Sequence, residues 1–188
     1  MTMSYIAERI TADLSIKRKE HIKGVRKTAV KLAKEHGEDP GKAEVAALFH
    51  DICREMDRNL LNKYIKEFDL PKKYMDNESL AHGKIAAEIM ARKYGIRDKD
   101  VLNAVRYHTT GRAEMSKLEK ILYLADGIEP GRDYPGVERL RRLAREDLDK
   151  ALLFSLEQTI RYVKGRRIKL DKDTLEAHRW LIKKGVNL

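Results

Sequence analysis

The sequence predicts an all-α fold. Apolar residues recur at helical spacing in almost every segment, and no stretch alternates with the period of two that a half-buried strand requires. The main Gly and Pro punctuation falls between the periodic segments, where helices end and begin.

Each element follows from that pattern. Val25, Ala29, Leu32 and Ala33 form the first apolar stripe. The second is the run Ala43-Glu44-Val45-Ala46-Ala47-Leu48-Phe49, which reads as a core helix. Ile85, Ala86, Ile89 and Met90 form the third, Val101, Leu102 and Val105 the fourth, and Leu118, Ile121, Leu122 and Ala125 the fifth. Leu140, Leu143 and Leu148 follow, then Leu152, Leu156, Ile160 and Val163, and finally Leu175 to Ile182. Breaks stand at Gly37–Gly41 with its Asp39-Pro40, at Leu70-Pro71, at Tyr94-Gly95 and at Gly111. Glu129-Pro130-Gly131-Arg132 and Tyr134-Pro135-Gly136 bracket a loop. Ile168 to Asp173 reads as a short extended piece before a last helix from about Thr174 to Lys184. Helices of ordinary length, about 11–12 residues, give roughly eight or nine in a helical bundle.

The chain has 188 residues, enough for one domain over residues 1–188 with a substantial core. It is 42% hydrophobic and 37% charged, as a soluble helical protein with charged outer faces would be. No apolar run is long enough to span a bilayer, so no membrane partner is expected. Met1 to Ile10 lacks the basic-then-apolar layout of a signal peptide. The single cysteine, Cys53, excludes an internal disulfide framework and points to the cytoplasm. Lys and Arg number 40 against 30 Asp and Glu, a net charge of +10 that favours anionic partners such as phosphates and nucleotides. Nucleic acid is a poorer fit. The cations are scattered over helical faces, and the aromatic residues, 6% of the chain, are not interleaved with them as a stacking platform needs.

One pair breaks the apolar pattern. His50 and Asp51 end the buried run Ala43–Phe49, and burying an imidazole beside a carboxylate is unfavourable unless something compensates. A bound metal ion would do so. Further candidate ligands are His21, which opens a helix as His21-Ile22-Lys23-Gly24-Val25, His82 in Leu80-Ala81-His82-Gly83, His108 where a helix ends, and Asp126 after Ile121-Leu122-Tyr123-Leu124-Ala125. Helical bundles build metal sites in this way, with ligands from facing helices converging in the core. Imidazole plus carboxylate with open positions is an iron- or manganese-like set rather than a closed zinc site. His36 has no such company and reads as a helix C-terminus beside Gly37, while His178 reads as structural.

The ordered set His21, His50-Asp51, His82, His108 and Asp126 resembles the HD-domain superfamily of metal-dependent phosphohydrolases. The strings His21-x-x-Gly24-Val25, Ala47-Leu48-Phe49-His50-Asp51, Ala81-His82-Gly83, Arg106-Tyr107-His108-Thr109-Thr110-Gly111 and Leu124-Ala125-Asp126-Gly127-Ile128-Glu129-Pro130-Gly131-Arg132 resemble its YqeK-like branch, over residues 15–182. That branch comprises bacterial symmetrical hydrolases of diadenosine tetraphosphate (Ap4A). The resemblance implies two divalent ions, usually iron, with manganese, cobalt or nickel as alternatives. It implies a dinucleoside polyphosphate cut at the middle of its bridge, so that Ap4A yields two ADP.

On this reading His21, His50, Asp51 and Asp126 hold one ion, and His82 and His108 hold the second, with Asp51 bridging. A water between the ions would lose its proton near neutral pH and attack phosphorus. Asp51, His82 and Arg54 make up the expected catalytic set, and His21 and His82 also face the substrate. Arg54 follows Asp51 by one helical turn; family members often carry Lys there, and the planar fork of Arg suits clamping a phosphate better than giving up a proton. Arg132, after a Pro-Gly turn, is a second clamp candidate. Gly24 would let a nucleotide approach the backbone. Thr109, Thr110 and Gly111 offer hydroxyls and N–H groups for phosphate or ribose. Tyr107, Tyr134, Tyr162 and Trp180 are equally candidates for stacking on a purine or for the core. Small HD proteins often pair, so a homodimer is also among the expectations.

Two other readings remain at this point. One is a different HD reaction, on a mononucleotide or a cyclic dinucleotide. The other is a nucleotide- or RNA-binding module stabilised by its metal. Product analysis separates the first, and metal-dependent turnover the second.

Overall fold

A computed structural model of the chain describes residues 8–167 and 169–188. Among the described residues it is helix and loop with no strand. Helical residues 8–11 precede α1 (Ile16–Glu35), α2 (Pro40–Phe49) and α3 (Arg58–Glu67). A 3-10 turn (Lys72–Tyr74) leads to α4 (Glu78–Lys93) and α5 (Lys99–Tyr107). The chain continues through α6 (Lys117–Ile128), α7 (Val137–Glu146), α8 (Leu148–Gly165) and α9 (Lys172–Lys183).

Local chemistry sets the helix starts. The side chains of Ser15, Asp39, Asp57, Asn77, Asp98, Asp147 and Asp171 each accept a hydrogen bond from the first turn of the helix that follows. Such caps satisfy N–H groups that have no partner within the helix, and each stabilises by about 1 kcal/mol. Ser116 and Glu119 form a reciprocal capping box at α6.

These caps shift three boundaries from where periodicity puts them. Ser15 starts α1 five residues ahead of His21, so His21 lies inside the helix rather than at its opening. Asp147, in an extended conformation with φ −154°, ends α7 and caps α8, so Leu148 does not share a helix with Leu140 and Leu143. Asp171 starts the last helix at Lys172. Of the expected extended piece, Asp171 is extended (φ −69°, ψ 144°), residues 169–171 form no strand, Lys172 and Asp173 are already helical, and Ile168 lies outside the described residues. So do residues 1–7 of the N-terminal stretch read for a signal peptide.

Helix α6 is the centre of the bundle. It packs against α1, α2, α5, α7 and α8 and buries Leu118, Ile121, Leu122, Leu124, Ala125 and Ile128. A helix apolar on nearly all sides is an interior helix. The α1–α2 pair packs through small residues, with Ala29 and Ala33 on one side and Ala43, Ala46 and Ala47 on the other, all fully buried. That close approach carries the C-terminal end of α2, with His50 and Asp51, toward α1 and His21. No helix among the described residues is long and apolar enough to cross a membrane.

Candidate metal centre

Five helices deliver the six residues singled out from the sequence to one place. His21 comes from α1 and Asp126 from α6. His50 caps the C-terminal end of α2 with Asp51 next to it, His82 lies in the second turn of α4, and His108 caps α5. His50, Asp51, His82 and His108 are buried.

Asp51 is the hub. Its Oδ2 lies 3.5 Å from Nε2 of His21 and 3.5 Å from Nε2 of His50. Its Oδ1 lies 3.1 Å from Nε2 of His82 and 3.7 Å from Nε2 of His108. The donors thus divide into two triads that share one carboxylate: His21, His50 and Asp51, and Asp51, His82 and His108. Asp126 joins the first, its Oδ1 lying 3.1 Å from His21 Nε2.

Every imidazole is held from behind. Nδ1 of His50 donates to the Ala47 carbonyl (2.6 Å), that of His82 to Glu78 (2.8 Å) and that of His108 to Val105 (2.8 Å). Nδ1 of His21 donates to the Glu129 carboxylate at 3.2 Å. With the proton fixed on Nδ1, each ring turns the lone pair of Nε2 inward. Nε2 of His82 and of His108 face one another at 3.0 Å, and those of His50 and His21 at 3.4 Å. Acceptors so close repel unless a positive charge lies between them, so the donor set fits divalent cations.

The protonation states suit the same use. Burial pushes the His50 imidazole down to about 4, against the pull of Asp51, and burial also lowers His82. Both are neutral near pH 7, as a ligand must be. Burial also acts to lower His108, but once protonated its ring donates to Asp51 and is drawn by the Asp51 charge, and these outweigh burial and raise it. Burial would raise the Asp51 carboxyl, yet the imidazoles of His50, His108 and His82, which favour its anion whenever they carry a proton, hold it far below the carboxylate range. Asp126 is held low in the same way, burial being outweighed by His21, His50 and Arg132.

Two glycines make the convergence sterically feasible. A β-carbon on Gly24 would lie 2.6 Å from Glu129 Oε2, so its absence makes room for the carboxylate that orients His21. The Gly131 N–H holds that same Oε2 at 2.6 Å. A β-carbon on Gly83 would lie 2.7 Å from the Val105 carbonyl oxygen and 2.9 Å from the His108 ring, so α4 and α5 touch through this residue.

The remaining sequence candidates fall in varied surroundings. Arg132 pairs with Asp126 Oδ1 at 2.5 Å and also donates to the Asp126 carbonyl. Arg54 pairs with Glu78, whose carbonyl holds His82. Thr109 lines a cleft beside His108. Thr110 is buried, its hydroxyl donating to the Gly111 carbonyl and its own carbonyl accepting from Thr174. Gly111 packs by Met115 and Ala177. Tyr134 and Tyr162 line the same cleft as Thr109, whereas Tyr107 lies under Lys84 and Trp180 under Lys120 and Lys184. Among the other histidines, His36 binds the Ala144 carbonyl and His178 faces Glu157.

Two residues of the site, and a buried lysine behind it, do not stand out in the sequence. Arg18, one turn before His21, places Nη1 2.5 Å from Asp51 Oδ2. Glu129 was legible only as part of a string, although its spacing of three from Asp126 puts it one helical turn away. Lys84, two residues after His82, is buried with its ammonium 3.8 Å from the Tyr107 ring centre. Nothing in its sequence context separates it from a surface lysine.

A helical frame that carries His, His-Asp, His, His and Asp in this order, all turned to a common centre, is the arrangement of HD-type metal-dependent hydrolases. The HD domain family matches residues 18–131, and the chain belongs to that family, in its branch of symmetrical bis(5'-nucleosyl)-tetraphosphatases. It is 39% identical over 163 residues to the enzyme of that name from Bacillus subtilis, covering 86% of this chain and 88% of the relative. It is 42% identical over 166 residues to the one from Halalkalibacterium halodurans, covering 88% and 89%. A crystal structure from Clostridium acetobutylicum, described as a predicted HD superfamily hydrolase involved in NAD metabolism, matches with a TM-score of 0.92 at 40% identity over 98% of both chains.

Proposed function

We propose that this protein hydrolyses Ap4A and related dinucleoside polyphosphates symmetrically, releasing two ADP from Ap4A. The observation that carries the reading is the single carboxylate, Asp51, shared by two imidazole pairs, in a chain about 40% identical to named symmetrical tetraphosphatases. In this reading His21, His50, Asp51 and Asp126 hold one divalent ion, and His82 and His108, with Asp51, hold the other. Iron is the first choice, with manganese, cobalt or nickel compatible with the same imidazole–carboxylate donors. Once bound, such ions supply Lewis acidity and a water acidic enough to attack at neutral pH.

The protein's own groups do the rest. The carbonyls of Ala47, Glu78 and Val105 and the Glu129 carboxylate fix the four imidazoles, so little reorganisation is needed on loading. Arg18 and Arg132 stand against Asp51 and Asp126, where a bound phosphate chain would meet them. Arg54 is a third clamp at the rim, and Thr109 offers a hydroxyl on the cleft side. For Gly24 the geometry supports a role in seating Glu129, and for Thr110 and Gly111 a role in shaping the turn after His108. The whole chain is read as one functional domain of the cytoplasm, where its one cysteine, buried Cys53, needs no partner.

The test is anaerobic purification followed by metal analysis and a product assay with Ap4A. ADP as the sole product, dependent on the metal, is expected. AMP plus ATP would mean an off-centre cut, and no metal-dependent turnover would overturn the enzyme reading.

A further inference from the structure

The turn after α6 carries two side chains that reach the metal centre. Glu129 orients His21 at 3.2 Å, and Arg132 pairs with Asp126 at 2.5 Å. Both stand just past a helix end, where the last carbonyls have no partner within the helix. The shortage of donors is acute here. Pro130 has no N–H to offer the Asp126 carbonyl. The Gly131 N–H goes to the Glu129 carboxylate at 2.6 Å, and the Arg132 N–H goes to the Glu129 carbonyl at 2.9 Å.

Side chains serve these carbonyls instead. Arg132 Nε donates to that of Asp126 at 2.8 Å, and the Tyr134 hydroxyl to that of Gly127 at 2.8 Å. The others fall to one residue of the next helix. Arg141, in the second turn of α7, donates from Nε to the Ile128 carbonyl at 3.1 Å. Its Nη2 donates to the carbonyls of Glu129 at 3.0 Å and Arg132 at 2.9 Å. Its Nη1 pairs with Glu138, one turn back on α7, which fixes the plane of the guanidinium.

Three carbonyls on one rigid fork constrain the turn in a way that an ammonium cannot reproduce. The grip spans the turn, with Ile128 and Glu129 before Pro130-Gly131 and Arg132 after it. It therefore sets the backbone from which both Glu129 and Arg132 project. A cation at this place also suits the negative end of α6. Among the described residues, no hydrogen bond or ion pair joins Arg141 to any of the six ligand side chains.

We propose that Arg141 is a positioning residue of the metal centre. By holding the carbonyls of Ile128, Glu129 and Arg132, it keeps the Glu129 carboxylate on His21 and the Arg132 guanidinium on Asp126. This rests on the reading of the centre as a divalent-metal site and assigns a support for it in a helix that supplies no ligand. Arg145, one turn further along α7, provides the contrast. It lines the same cleft of about 400 Å³ as Arg141 and carries the same charge. It makes no hydrogen bond or ion pair among the described residues.

The experiment measures manganese affinity by competition with a chelating dye, with thermal melts to establish that each variant is folded and an Ap4A product assay alongside. Arg141→Gln should weaken manganese binding about 10-fold, the lower end of what loss of an outer partner costs. Arg145→Gln should leave it unchanged. Arg141→Lys keeps the charge but lacks the fork, so it should also bind less tightly than the parent, and it carries the test where the glutamine variant does not fold. Arg141→Gln combined with Glu129→Gln should lose less than the product of the two single losses, because both changes act on the His21 ring. Parental affinity in the folded Arg141 variants, an equal loss in Arg145→Gln, or a double loss equal to the product would overturn the proposal. If manganese binding follows Arg141 but Ap4A gives no ADP, the functional reading fails and the role of Arg141 stands. If ADP appears and the Arg141 variants bind manganese as tightly as the parent, the role of Arg141 fails and the functional reading stands.

Discussion

Gly83 rests directly against the imidazole of His108: a β-carbon on this glycine would come within 2.9 Å of the ring and 2.7 Å of the Val105 carbonyl oxygen. The contact ties α4 to α5 at the level where His82 and His108 face each other. Gly83→Ala therefore forces helix backbones apart, because the nearest obstacle is a carbonyl and not the end of a flexible chain. Overpacking of this kind costs about 1–3 kcal/mol. The variant is expected to fold with a lowered melting temperature and to bind fewer metal equivalents than the parent. Thermal melts and elemental analysis of the purified variant measure both. A variant with full metal content would show that the α4–α5 spacing does not govern the second triad.

Glu129 acts on the centre through His21. Its Oε1 accepts a hydrogen bond from the Nδ1–H of His21 at 3.2 Å while its Oε2 accepts one from the Gly131 N–H. Glu129→Gln keeps the shape but removes the negative charge that fixes the ring and makes its Nε2 more basic. Loss of such a partner lowers metal affinity about 10–100-fold. Competition with a chelating dye is the direct measurement. Gly24→Ala is expected to give the same defect, since its β-carbon claims the space of Glu129 Oε2.

The helical frame and the six converging side chains were legible in sequence because both leave periodic or compositional marks. An apolar run that ends in His50-Asp51 advertises a buried polar pair. Helix starts are less legible: Ser15, Asp147 and Asp171 act through one or two hydrogen bonds each, which hydrophobic spacing does not register. Supporting residues were the least legible. Arg18, Glu129 and Lys84 are charged residues in a chain that is 37% charged, and only the packing of α1, α4 and α6 separates them from surface cations and anions. The sequence suggests that Gly24 admits a nucleotide to the backbone, whereas the geometry gives that space to Glu129, because a glycine's purpose depends on the neighbour that fills its space.

Removal of metal should destabilise the fold. Four Nε2 lone pairs and two carboxylates face one centre, and a cation bound there binds the native state alone. At a free ion concentration one hundred times the dissociation constant this stabilises by about 2.7 kcal/mol, or about 5–10 °C in a chain of this size. Manganese added to chelator-treated protein is expected to raise the melting temperature by that amount. The gain should shrink as the pH falls, first through the raised titration of His108 and last, near pH 4, through that of His50, because protonated imidazoles do not bind metal. Scanning fluorimetry over a pH series reads both effects, and a melting temperature indifferent to the ion would contradict the site.

Lys84 provides a prediction with a sign that runs against intuition for an ion pair. It is buried, 3.5 Å from Asp173 and stacked over Tyr107. Burial lowers its pKa from 10.5 to about 8, and the favourable pull of Asp173 does not make up the difference. Between pH 8 and 10.5 the unfolded chain holds a proton on this lysine that the folded chain has given up, so stability rises with pH across that window. Below pH 8 the full cost of burying the charged ammonium is present. Lys84→Met keeps the aliphatic stem and removes the charge. The variant is expected to be more stable than the parent at pH 7, by on the order of 1–3 kcal/mol. The advantage should fall away as the pH climbs from 8 through 10.5, above which the parent lysine is neutral in both states. Denaturant melts of both proteins at pH 7, 8.5 and 10.5 give the difference directly. A methionine variant that is less stable at pH 7 would mean that the Tyr107 stack and the Asp173 pair outweigh desolvation.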